Sequence, residues 1–118
     1  MSKVMIVDDD VTTVTLLETL LELDGFDVTI VKRGTEVITR AEQVMPDVIM
    51  IDYNLNDTDG ITVVKDLRQH PTLAGVPIVM ASGLDVSEDA IAAGANQFLV
   101  KPFEPDELPK IFNNLISG

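Results

Sequence analysis

Pro46-Asp47-Val48-Ile49-Met50-Ile51-Asp52-Tyr53-Asn54-Leu55 is the stretch whose reading decides the fold. Val48 to Ile51 is continuously aliphatic, too short for a helix and without the alternation of a half-exposed strand. It reads as a strand buried on both faces, as in a parallel sheet covered by helices. Working outward, three more continuous apolar runs follow the same pattern: Val4 to Val7, Val76 to Ala81, and Phe98 to Val100. Asp27 to Val31 is a fifth run, more polar and alternating, which suits an edge strand.

Between the runs the spacing becomes helical. Val14, Leu17, Leu20, Leu21 and Leu23 put an apolar face on Thr12 to Asp24, with Gly25 following as a cap. Val37, Ile38, Ala41, Val44 and Met45 predict a second helix before Pro46, and Ile61, Val64 and Leu67 a third that stops before Pro71. A short fourth spans Ser87 to Ala93, ended by Gly94. The last, Pro105 to Ile116, opens on acids suited to a helix N-terminus. Strand and helix thus alternate five times, which predicts an α/β fold: a parallel sheet with right-handed crossovers and helices on both faces. In such sheets the ligand sits beyond the carboxyl ends of the strands, where strand order reverses.

Composition narrows the function. The 118 residues include twenty acids and eight basic residues, a formal charge of −12, and are 46% apolar. One globular domain, residues 1–118, is expected, since this is too apolar for a disordered acidic tail. Sequence-independent binding to nucleic acid needs Lys and Arg on the phosphates, so direct nucleic-acid contact is excluded, as is an anionic membrane surface. There is no cysteine, hence no disulfide, thiolate metal site or Cys nucleophile. No run resembles a signal peptide or spans a membrane, so a cytoplasmic location is expected. The five Met residues read as core filler, and His70, before Pro71, as a helix-end residue.

The chemistry collects at the strand ends. The first strand runs into Asp8-Asp9-Asp10 and the third ends in Asp52, bringing carboxylates to one rim. Such a run alone reads first as a turn or helix cap, but two strand ends converging with acids suit a hard cation such as Mg²⁺, with Mn²⁺ as an alternative. Lys101, after Phe98-Leu99-Val100 and before Pro102, projects a cation toward that rim, and Ser82 adds a hydroxyl. Acids, a metal, a hydroxyl and a lysine are the parts that stabilise charge in phosphoryl transfer.

Four segments in order carry a family resemblance over essentially the whole chain: Val4 to Asp10; Pro46 to Leu55 with Asp59-Gly60; Pro77 to Ser82; and Gly94-Ala95 with Lys101-Pro102-Phe103. The sequence resembles the receiver domain of two-component response regulators, a flavodoxin-like, chemotaxis-protein fold with strand order 2-1-3-4-5. The resemblance implies that Asp52 accepts a phosphoryl group as an acyl phosphate. It implies Mg²⁺ bound by Asp9, by Asp8 mainly through water, by Asp52 and by the backbone carbonyl of Asn54. Ser82 and Lys101 would contact the phosphoryl group, and Phe98 would be the aromatic switch residue. A cis Lys101-Pro102 bond is implied as well. On this reading the chain is a signalling switch rather than a turnover enzyme. It would take its phosphoryl group from a histidine kinase or phosphotransfer protein docking on the first helix. Output would pass through the fourth helix, fifth strand and fifth helix to an effector protein or domain, with a phosphorylation-dependent homodimer on the same face. It would be either a stand-alone receiver or the receiver of a longer protein.

The sequence departs from the family in two places. Asn56 stands where Pro is usual, which implies a freer loop from Asn54 to Gly60 with unaffected metal ligands. The interval from Ser82 to Lys101 is about one helical turn short, which shortens the fourth helix. Gly83 should leave the acceptor open to a donor, and an apolar Leu84 implies a long-lived phosphoryl group. Rival readings are a receiver-like interaction module that is never phosphorylated and an Asp-based Mg²⁺-dependent phosphatase. The second would need another carboxylate where Asn54 stands. Flavin binding conflicts with the charge of Asp8 to Asp10, and an EF-hand fails because Asp57 replaces the turn glycine and Val63 the bidentate Glu.

Overall fold

The computed structural model describes residues 2–117; Met1 and Gly118, the ends of the expected domain, lie outside the described residues. Five strands, β1 (Lys3–Val7), β2 (Asp27–Val31), β3 (Val48–Asp52), β4 (Ile78–Ser82) and β5 (Gln97–Val100), form one parallel sheet in the order β2-β1-β3-β4-β5. The helices are α1 (Val11–Leu23), α2 (Val37–Val44), α3 (Gly60–Gln69), α4 (Ser87–Ala93) and α5 (Leu108–Ser117).

Alternate side chains of the central strands feed two separate cores. Met5, Val7, Ile49, Ile51, Ile78 and Met80 pack beneath α2, α3 and α4, against Val37, Ala41, Val64, Leu67 and Ala90. Val4, Ile6, Val48, Met50, Val79 and Ala81 pack beneath α1 and α5, against Val14, Leu17, Leu21, Leu108 and Phe112. Both faces being covered, apolar residues are required at every position, which is why these runs are continuous. Each buried Val, Leu, Ile, Met or Phe side chain among them contributes about 1.5–3 kcal/mol of burial.

The differences from the sequence reading have local causes. β4 begins at Ile78 rather than Val76, because Pro77 has no N–H to give the ladder; its carbonyl still accepts from Ile49 N at 2.9 Å. β5 is not buried on both faces: it is the second edge strand, and Val100 is 55% exposed. Four of the leucines and valines on α1 (Val11, Leu16, Leu20, Leu23) are exposed, so Leu20 and Leu23 do not belong to its core face, although Leu20, at 36%, is the least exposed of them. Among the described methionines, Met5, Met50 and Met80 fill core, but Met45 is 50% exposed. It holds a left-handed conformation (φ 52°), since Pro46 bars the residue before it from continuing the helix. The last helix opens with a 3₁₀ turn over Pro105–Glu107. Pro109 cannot donate to the Pro105 carbonyl, which instead takes the N–H of Leu108. α4 is regular but only seven residues long, and His70 is the C-cap of α3.

Candidate functional site

The carboxyl ends of the strands place five side chains on one rim. Asp8 and Asp9 follow β1, Asp52 ends β3, Ser82 ends β4, and Lys101 follows β5. β1 and β3 are neighbours from which the chain turns outward in opposite directions, so the acids flank the point where strand order reverses.

Carboxylate oxygens of Asp8, Asp9 and Asp52 all lie within 4.8 Å of one another. The Lys101 ammonium stands 3.4 Å from Asp52 Oδ1 and 3.7 Å from Asp8 Oδ2. One cation among three acids leaves net negative charge in a partly closed site. Asp8 is almost fully buried, and that burial pushes its carboxyl above the usual range, opposed by the hydrogen bond from Asp10 N (2.9 Å) and by Lys101. Hard oxygen donors with residual negative charge fit a divalent cation of the magnesium class. Asp10 plays the other part the run suggested: it is the N-cap of α1, accepting from Thr12 N and from Thr13 Oγ1 at 2.6 Å.

Around this centre the loops are tightly tied. Tyr53 N donates to Ala81 O at 3.0 Å, and Gly60 N to Tyr53 O at 2.8 Å, closing the β3–α3 loop on itself. A Cβ on Gly60 would meet the Asp52 carbonyl oxygen at 2.7 Å, so the residue after Asp59 has to be glycine. Asp59 caps α3 through Thr62 N. Ser82 is fully buried, and its Oγ accepts from Leu84 N at 3.0 Å. The Ser82 carbonyl accepts from Lys101 N at 2.8 Å, and the Lys101–Pro102 peptide is cis. Phe98 is half-buried against the core under α3 and α4. Gly83 leaves open space, and Leu84 is 59% exposed.

Between Asn54 and Gly60 the loop is hydrogen-bonded to its neighbours. Asn56 N donates to Asp9 Oδ2 at 2.8 Å, so the loop bonds directly to one of the acids taken to be unaffected by it. A proline there could not donate. The adjacent Asp57 accepts from Gly34 N (3.0 Å), Thr35 N (3.1 Å) and Thr35 Oγ1 (2.9 Å), which lower its pKa. These partners lie more than twenty positions away, beyond any pattern readable along the chain. Arg68, also unremarked in the sequence, donates to the carbonyls of Gly94, Ala74 and Val76 and to Asn96 Oδ1.

Residues 4–113 match the family model described as response regulator receiver domain. The chain is 38% identical over 109 residues to the alkaline phosphatase synthesis transcriptional regulatory protein PhoP of Bacillus subtilis, covering 90% of this chain and 45% of that protein. It thus spans less than half the length of that relative. Among solved structures, the receiver domain of Francisella response regulator 1452 superposes with a TM-score of 0.91 at 32% identity, covering 99% of this chain and 98% of the other. The receiver domain of the sensor histidine kinase PA1611 of Pseudomonas aeruginosa, solved with a magnesium ion in its active-site cleft, gives 0.90 at 29%, with the same coverage. Sheet order, acidic rim and family match agree, and the chain belongs to the response regulator receiver domains.

Proposed function

We propose that this receiver domain is a phospho-accepting switch in a two-component phosphorelay, with Asp52 as the acceptor. The observation that carries this reading is the Asp52 carboxylate at the end of β3, with Lys101 at 3.4 Å and Asp8 and Asp9 beside it. A carboxylate oxygen of Asp52 forms the new O–P bond while the P–N bond of a donor phosphohistidine breaks, and the leaving imidazole takes up a proton. Carboxylate and phosphoryl group are both anionic, so their repulsion must be offset. Asp8, Asp9, Asp52 and the Asn54 carbonyl are the proposed holders of Mg²⁺, or Mn²⁺ in its place, which when bound supplies Lewis-acid neutralisation of phosphoryl oxygens. Lys101 is the fixed cation of the site, and Ser82 offers a hydroxyl at the neighbouring strand end.

The modification adds roughly two negative charges at the rim. Ser82, Lys101 and Phe98 are the proposed switch path, leading to the face formed by α4, β5 and α5. Ile91 and Val100 are exposed there, a surface suited to an effector or a second copy. Thr12, Leu16, Pro102 and Phe103 line an apolar groove beside Lys101, suited to a histidine kinase or phosphotransfer protein. Among the described residues no helix is long and apolar enough to cross a membrane. One domain over residues 1–118, acting as a switch without turnover of an external substrate, completes the proposal.

Acetyl phosphate with Mg²⁺ is expected to add one phosphoryl mass to the wild-type chain and none to Asp52→Asn, read by intact-protein mass spectrometry. No gain in the wild type under either Mg²⁺ or Mn²⁺ overturns the reading in favour of a receiver-like interaction module.

A further inference from the structure

The loop of residues 54–60 does more than carry Asn54 and lead into α3. Two consecutive residues in it reach two different loops: the Asn56 main chain donates to Asp9 Oδ2, and the Asp57 side chain accepts three hydrogen bonds from Gly34 and Thr35. Asn56 and Asp57 therefore join the loops after β1, β2 and β3, all at the same rim. The anchoring loop is itself packed closely: a Cβ on Gly34 would lie 2.3 Å from Thr58 Cγ2 and 2.9 Å from Val63 Cγ2. Such an approach is open only to glycine.

We infer that the Asn56 N–H is a positioning group for the cation ligand Asp9, held in place by the Asp57 clamp on Gly34 and Thr35. The physical case is one of orientation. Asp9 is only partly buried and its carboxylate would otherwise turn freely about its side-chain torsions. A 2.8 Å hydrogen bond from a charge-neutral donor occupies one lone pair of Oδ2 and restricts that rotation, leaving the remaining lone pairs for a cation. Hydrogen-bond partners that orient a metal-ligating carboxylate typically contribute a factor of about 10–100 in metal affinity. The donor is a main-chain group, so any residue except proline supplies it at position 56. The asparagine side chain is not required.

The inference rests on the proposed cation site, and the test separates the two. Mg²⁺ alone is titrated into the wild-type chain and into Asn56→Ala, Asn56→Pro and Asp57→Ala, in high salt, where loss of a surface charge is screened. Binding is followed by amide NMR, which also reads the Asn56 N–H itself. Asn56→Ala keeps the N–H and should bind within about twofold of wild type, whereas Asn56→Pro and Asp57→Ala should each weaken Mg²⁺ by roughly tenfold. In Asp57→Ala the Asn56 amide proton should also shift upfield and exchange faster, while Asn56→Ala leaves the position-56 amide downfield. Mg²⁺ affinity unchanged in Asn56→Pro or Asp57→Ala overturns the inference, as does Asn56→Ala weakening as much as Asn56→Pro. A wild-type chain that binds no Mg²⁺ instead overturns the site reading beneath it.

Discussion

Leu84 lies two positions beyond Ser82, donates its N–H to Ser82 Oγ, and holds its aliphatic side chain out in solvent at the mouth of the site. It has no group with which to orient a water molecule against an acyl phosphate. Leu84→Gln or Leu84→Glu is therefore expected to speed loss of the phosphoryl group from Asp52 roughly tenfold, about the worth of one hydrogen bond. Loss of radiolabel from the phosphorylated protein measures it, and an unchanged rate would sink the idea. At this scale the sequence was most legible where a residue's chemistry is rare in its setting. Asp8, Asp9, Asp52 and Lys101 stand at the ends of apolar runs, and charge there has no packing explanation. Gly60 was legible as part of Asp59-Gly60, but its reason, a 2.7 Å approach to the Asp52 carbonyl, needs coordinates. Asn56 was read by what it lacks relative to proline, a fixed φ, when what matters is the N–H it has.

Between elements, Arg68 is the main cross-tie. From α3 it bonds the carbonyls of Ala74 and Val76 ahead of β4, Gly94 after α4, and Asn96 ahead of β5, at 2.7–2.9 Å. Gly94 admits no alternative, with φ at 122° and a Cβ that would lie 2.6 Å from Arg68 Cγ. The short α4 is thus anchored at its C-terminal end by a planar donor set. Arg68→Ala is expected to lower the unfolding free energy by about 2–4 kcal/mol, since charged hydrogen bonds contribute about 1.5–3 kcal/mol each where buried and less where wet. Arg68→Lys should recover less than half, because a single ammonium cannot reproduce the planar fork that donates to four acceptors. Urea denaturation measures both, and full recovery by lysine would contradict the geometric argument. Helix ends were legible wherever Pro or Gly marks them, as at Met45-Pro46, His70-Pro71 and Gly94. Helix faces were less so on α1, because Leu20 and Leu23 fit the apolar spacing yet are 36% and 79% exposed.

Across the whole molecule the −12 charge is unevenly placed, and the rim concentrates three carboxylates around one lysine. Their mutual repulsion opposes folding until a cation offsets it. Mg²⁺ at a hundred times its Kd is therefore expected to stabilise the fold by about 2.7 kcal/mol. That corresponds to roughly 8–12 °C in the thermal midpoint for a chain of this size. Scanning calorimetry with and without chelator measures the shift, which Asp9→Asn should largely abolish; an equal shift in that variant would mean that Mg²⁺ acts elsewhere. The sequence by itself determined the α/β alternation, the parallel sheet, the helix ends that Pro or Gly marks and the charged residues of the rim. All of these follow from the local periodicity of apolar residues and from charges placed where burial is otherwise the rule. Only the tertiary structure decided which helices cover which face, how far β5 is exposed at its edge, and that Asn56, Asp57 and Arg68 are cross-ties. Those depend on hydrogen bonds between residues far apart in the chain, for which no spacing along the sequence carries a signal.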